Sequence, residues 1–136
     1  MDGDGYDLSG FAVPEGIEEL HHLLERVGSD HPDLDGGDLM LFETAVIEIA
    51  NNVVEHGSPP GVGWRFTLDV LPDRLEATLS DDGNAHVADL ATEMPGVDAE
   101  SGRGLPLAHA ILDEISYQRV DDINHWHMVR SRAGSS

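Results

Sequence analysis

Cysteine is absent from the 136 residues, which excludes disulfides, thiolate zinc sites and thiol nucleophiles. Lysine is absent as well, and the seven basic side chains are Arg26, Arg65, Arg74, Arg103, Arg119, Arg130 and Arg132. A Walker-type phosphate loop, a Schiff-base lysine and a protein-kinase strand lysine are therefore all excluded. No stretch approaches the roughly 20 apolar residues that span a bilayer. Met1-Asp2-Gly3-Asp4-Gly5 is acidic where a secretory signal is basic and then apolar. The expectation is a soluble, cytoplasmic protein. Positive charge is scarce throughout: 27 acidic against 7 basic residues leave a formal charge of −20, which repels nucleic acid and anionic lipid at long range. Neither is an expected partner. If such a chain holds a phosphorylated ligand, a metal ion and backbone amides must supply most of the positive potential.

What is present fits one domain. Leu8 to Val13 reads as a short strand, and Pro14 stands at a favoured first helical position with Glu15, Glu18 and Glu19 behind it. That helix is expected to run to about Val27, stopped by Gly28 and Ser29-Asp30-His31-Pro32. Asp38 is expected to cap a second helix that continues to about His56, before Gly57 and Pro59-Pro60. Trp64, Phe66, Leu68 and Val70 alternate with Arg65, Thr67 and Asp69. Beyond Pro72-Asp73, Leu75, Ala77 and Leu79 alternate with Arg74, Glu76 and Thr78, which predicts an antiparallel hairpin. Periodicity is lost from Asn84 to Gly102, read as a long mobile loop. Leu105 to Leu112 can form a short helix, and strands Ile115 to Val120 and Asn124 to Arg130 flank Asp121-Asp122-Ile123. The expected fold class is α+β, with a mixed, mostly antiparallel sheet covered on one face by helices over residues 8–130, and disordered termini at 1–7 and 131–136.

Three segments carry candidate chemistry. In the second helix Phe42, Val46, Ile49 and Val53 share an arc of roughly 60° at 3.6 residues per turn. Glu48, Asn52 and His56, spaced by four, form a row beside that buried stripe. An amide oxygen on such a row suits Mg²⁺, and a carboxylate one turn away can deprotonate a nucleophile, although the same spacing describes the polar shoulder of any amphipathic helix. Asp81-Asp82-Gly83 ends a strand, where a buried Asp81 can accept a hydrogen bond from an exocyclic amine and Gly83 lets a flat ligand approach; a solvated turn has the same composition. Gly102-Arg103-Gly104-Leu105 precedes a helix, so its amides form an anion site that needs no lysine. A dinucleotide fingerprint is excluded there, because Pro95 to Ser101 is not a strand.

In this order, Glu48-Ile-Ala-Asn-Asn52-Val-Val-Glu-His56, Asp81-Asp82-Gly83 and Gly102-Arg103-Gly104-Leu105-Pro106-Leu107 resemble the N box and two glycine boxes of the histidine-kinase-like (GHKL) ATPases. Within them the chain is similar to the anti-sigma-factor serine/threonine kinases of the RsbW type, whose closing strand–turn–strand is like Tyr117 to Met128 with Asn124-x-Trp126. The resemblance implies a Bergerat-type two-layer sandwich that binds ATP and Mg²⁺. It also implies a protein that phosphorylates a serine on a STAS-type antagonist and sequesters a sigma factor. Carried over, Glu48 is the catalytic carboxylate, Asn52 the Mg²⁺ ligand and Asp81 the adenine-recognising carboxylate, with Gly83 shaping the base pocket. Gly102, Gly104 and Leu105 fall at the phosphate lid, where Arg103 adds charge. Relatives commonly pair through their sheets, so a homodimer belongs among the expectations. One departure is Asn84-Ala85, where many relatives carry a further glycine. Three rivals stay open: a non-catalytic partner-switching regulator on the same fold, a metal-binding protein built on His21-His22 and His125-x-His127, and an output module of a stress or developmental phosphorelay acting on a partner unlike STAS.

Overall fold

Alternating apolar residues in the sheet and two apolar helical stripes bury each other to form the architecture. The computed structural model describes residues 4–56, 61–83 and 104–132. Their order is β1 (Asp4–Phe11), α1 (Pro14–Asp30), α2 (Gly36–His56), β2 (Gly63–Val70), β3 (Arg74–Asp81), α3 (Gly104–Ile111), β4 (Glu114–Val120) and β5 (Ile123–Ser131). The five strands form one sheet in the order β1-β2-β3-β5-β4, and every neighbouring pair is antiparallel. The parallel component expected of a mixed sheet is not among the described strands. The anticipated loop from Asn84 to Gly102 lies outside the described residues.

The helix-covered face of the sheet follows from strand alternation. Trp64, Phe66, Leu68 and Val70 of β2 are buried together with Leu75, Ala77 and Leu79 of β3 and Trp126 and Met128 of β5. Against them lie Leu20, Leu24 and Val27 of α1 and Phe42, Val46, Ile49 and Val53 of α2, all fully enclosed. The β4–β5 hairpin turns on Asp121 and Asp122, whose φ angles of 53° and 66° lie in the left-handed region. A two-residue hairpin needs that conformation, and aspartate tolerates it better than most residues.

Four boundaries differ from expectation, each for a local reason. β1 begins at Asp4 and ends at Phe11, because Asp4 to Tyr6 pair with Val70 to Leu68; residues 4 to 7 belong to the sheet and not to a disordered terminus. α1 runs through Gly28 to Asp30, and the His31-Pro32 junction ends it by disfavouring helical geometry before proline. α2 starts earlier than Asp38: the Asp38 N–H donates to Asp35 Oδ2 at 3.0 Å, so Asp35 is the cap. Ser131, placed in a disordered tail by composition, pairs with Arg74 at the end of β5.

Gly16 marks the tightest approach between α1 and the sheet. A Cβ there would lie 2.2 Å from the Phe11 carbonyl oxygen and 2.8 Å from Trp64 Cζ2. Alanine gains roughly 1 kcal/mol of helix propensity, but overpacking against backbone costs about 1–3 kcal/mol or more. Gly16→Ala is therefore expected to lower the urea midpoint at unchanged m-value, contrary to the propensity scale.

Candidate functional site

Arg130 joins three elements near the end of β5 away from Asn124. On β5 its Nη2 donates to Asp38 Oδ1 at 3.0 Å, and its Nη1 donates to the Ile111 carbonyl at 2.8 Å. One guanidinium thus ties the start of α2 and the end of α3 to the same end of β5. From Asp38 to Asn52 the helix advances roughly 21 Å at 1.5 Å per residue. From Arg130 back to Asn124 the strand covers about 20 Å. α3 returns from Ile111 to Gly104 over about 10 Å at the same helical rise. Each helix is therefore long enough for the Glu48–Asn52 half of α2 and the N-terminus of α3 to reach the sheet end that carries Asp81 and Asn124.

At that end the helix-facing side of the sheet changes from apolar to polar. Leu8, Phe66, Leu79, Trp126 and Tyr117 form one cross-strand row, and the next is Gly10, Trp64, Asp81, Asn124 and Arg119. Asp81 is 1% and Asn124 0% exposed. Asp81 Oδ1 accepts from the Gly83 N–H and from Asn124 Nδ2, both at 2.9 Å. Gly83 is itself buried. Asn124 Oδ1 accepts from Tyr117 Oη at 2.5 Å and from Arg119 Nη1 at 2.9 Å, and the same Nη1 donates to the Gly83 carbonyl at 3.0 Å. A carboxylate so enclosed is retained at a cost in burial, which polar groups in an apolar phase of the strand repay only when hydrogen-bonded.

On α2, Asn52 is 9% exposed, and among the described residues its Nδ2 has no hydrogen-bond partner. A buried amide hydrogen without an acceptor costs about 1–3 kcal/mol, the kind of local loss that marks a binding position. Glu48, one turn earlier, is half-buried on the same row. Gly104 and Leu105 fall in the first turn of α3, while Gly102 and Arg103 lie outside the described residues. Tyr117, Arg119 and Asn124 had no role assigned from sequence. The signal was there in phase: counting back from Trp126 and Met128 by two places Asn124 on the covered face.

The histidines are engaged separately. His21 Nδ1 lies 2.6 Å from Glu43 Oε2, His125 Nδ1 3.0 Å from Ser80 Oγ, and His127 Nε2 2.8 Å from Glu76 Oε2. Among the described residues no group of three or more metal-ligating side chains converges. The hydrogen bond from His127, followed by that from Arg74, holds the Glu76 carboxyl below its usual value of 4.5. A depressed folded-state pKa contributes stability above the unfolded value, and that contribution is lost as pH falls through the folded one. Stability should therefore decline below about pH 4.5, and Glu76→Gln should flatten that part of the profile in acid-titrated urea melts.

Among the described residues no helix is long and apolar enough to cross a membrane. The family model described as the histidine kinase-like ATPase domain matches residues 12–130. Among solved structures, the RsbU and RsbW domains of Rv1364c from Mycobacterium tuberculosis match with a TM-score of 0.71 at 14% identity, covering 97% of this chain and 34% of that one. At that identity the likeness speaks for the fold, and the chain spans about a third of the protein it matches. No curated protein sequence matches.

Proposed function

Because the chain belongs to the histidine kinase-like ATPase domain family, we propose that it binds ATP with Mg²⁺ and acts as an RsbW-type serine/threonine kinase. Its substrate is a serine on a STAS-type antagonist, and its second partner is a sigma factor that it holds until the antagonist is available. The observation that carries the nucleotide reading is Asp81, an enclosed carboxylate at a strand end beside buried Gly83. It suits the exocyclic amine of adenine. The buried amide of Asn52, with Nδ2 unmatched, fits a hard cation at its oxygen and a phosphate oxygen at its nitrogen. Mg²⁺ supplies charge neutralisation that a chain of net charge −20 without lysine cannot supply from side chains.

Within this reading Glu48 takes the proton from the partner's serine hydroxyl as that oxygen attacks the terminal phosphorus and the bond to the bridging oxygen breaks, releasing ADP. Gly102, Gly104 and Leu105 offer backbone N–H groups to the phosphates, with Arg103 adding charge beside them. The test is transfer of labelled phosphate from ATP to a STAS-type antagonist, together with calorimetry of ATP binding. Uptake and transfer are expected. Uptake without transfer would leave a non-catalytic partner-switching regulator, and no uptake at millimolar nucleotide would overturn the reading.

A further inference from the structure

The geometry points to Tyr117, Arg119 and Asn124 as positioning residues that hold the Asp81 carboxylate in its base-reading orientation, so that selectivity for the purine is set from the edge strand β4. The inference rests on the nucleotide reading of Asp81 and adds to it where its orientation comes from.

Arginine has only donors, and both Arg119 contacts go to oxygen: the Gly83 carbonyl at 3.0 Å and Asn124 Oδ1 at 2.9 Å. Arg119 therefore fixes which way the Asn124 amide faces. Its oxygen must point toward β4, where Tyr117 Oη gives it a second hydrogen bond. Its nitrogen must point toward β3, where it donates to Asp81 Oδ1 at 2.9 Å and to the Gly83 carbonyl at 3.3 Å. All four hydrogen-bonding positions of the amide are thus assigned. Oδ1 of Asp81 is in turn committed to two donors, Asn124 Nδ2 and the Gly83 N–H. The carboxylate plane cannot rotate without breaking them, which sets the direction the carboxylate presents to a ligand.

The two outer members sit on a sheet edge, with the Arg119 side chain 30% exposed and also 3.8 Å from Asp122 at the hairpin turn. Tyr117→Phe keeps the ring that packs on Trp126, and Arg119 stands outside the core, so these substitutions disturb the orientation of Asp81 while the core stays filled. A residue that merely supports the fold would weaken all nucleotides alike; one that orients Asp81 affects the contact with the exocyclic amine.

The test compares ATP with inosine triphosphate, which carries an oxygen in place of that amine, by calorimetry on the full chain and on Tyr117→Phe, Arg119→Met, Arg119→Lys and Asn124→Leu. A site built around the amine should prefer ATP by on the order of 100-fold. In Arg119→Met and Asn124→Leu the preference should shrink to about tenfold or less, with a smaller loss in Tyr117→Phe and partial retention in Arg119→Lys, which keeps a charged donor group but not the planar guanidinium. Asn124 is fully buried, so if Asn124→Leu fails to fold the edge-strand variants decide. Full preference retained in folded Arg119→Met, or equal loss of both nucleotides, overturns the positioning role and leaves the nucleotide reading standing. Absence of ATP binding by the unaltered protein overturns both.

Discussion

Glu48→Gln is expected to slow phosphate transfer to the antagonist by about 10²- to 10⁴-fold, the range for loss of a general base, while ATP affinity stays within about threefold. The two effects should separate because, in the proposed mechanism, the carboxylate acts on the partner's serine and the nucleotide is held elsewhere. Asn52→Ala should behave differently. It removes the proposed cation ligand, so ATP binding itself should weaken and its dependence on Mg²⁺ concentration should flatten. Single-turnover transfer at saturating antagonist, beside calorimetry for each variant, reads both quantities. Transfer that survives both substitutions refutes the assigned roles. Equal loss of binding in both would mean that Glu48 serves the nucleotide and not the hydroxyl.

The proposed roles differ although the residues are neighbours on one helical row, and that row is readable in the sequence. Spacing by four beside an apolar arc put Glu48 and Asn52 at the margin of the core, and the structure has Asn52 at 9% exposure with Glu48 half-buried. Asp81 was equally legible, since it continues the phase of Leu75, Ala77 and Leu79. The β2–β3 and β4–β5 hairpins followed from alternation and turn residues for the same reason: the period of a strand is local. What the sequence hid was non-local. Asp35 and Asp38 are both reasonable caps by composition, and only the partner 92 residues away on β5 turns Asp38 inward. Gly28 looked like a stop because glycine is a poor helix former, yet a Cβ there would lie 3.0 Å from Leu39 Cδ2, so its smallness serves the packing of α1 on α2. Asn124 was visible as a polar residue in an apolar phase, but its use depends on β3 and β4 lying on either side of it.

Arg130→Met should destabilise the fold by about 3 kcal/mol, toward the lower end of what breaking a buried ion pair costs. The pair is well enclosed, with side-chain exposures of 21% for Arg130 and 5% for Asp38. Removing the guanidinium takes two hydrogen bonds from the Asp38 carboxylate and one from the Ile111 carbonyl at the end of α3. Replacing both partners with apolar residues, Arg130→Met with Asp38→Leu, should recover much of the loss, because the carboxylate no longer has to be accommodated without the guanidinium. Urea denaturation of the two single variants and the double variant yields the coupling directly. The recovered double variant carries the more informative result, because stability and site geometry then come apart. α3 would lose the side-chain hydrogen bond to its last carbonyl and keep only the backbone bond from Asp113 N–H to the Val129 carbonyl just beyond it, and its N-terminus lies about 10 Å further along the same rigid element. A small rotation at Ile111 is therefore carried to Gly104, where the proposed phosphate donors lie. The double variant should fold nearly as well as the unaltered chain yet bind ATP at least about tenfold more weakly, with its preference for ATP over inosine triphosphate intact if Asp81 is oriented from β4, as inferred above, and not from Arg130. Unchanged ATP affinity in that variant would mean that the N-terminus of α3 is positioned by something other than this arginine.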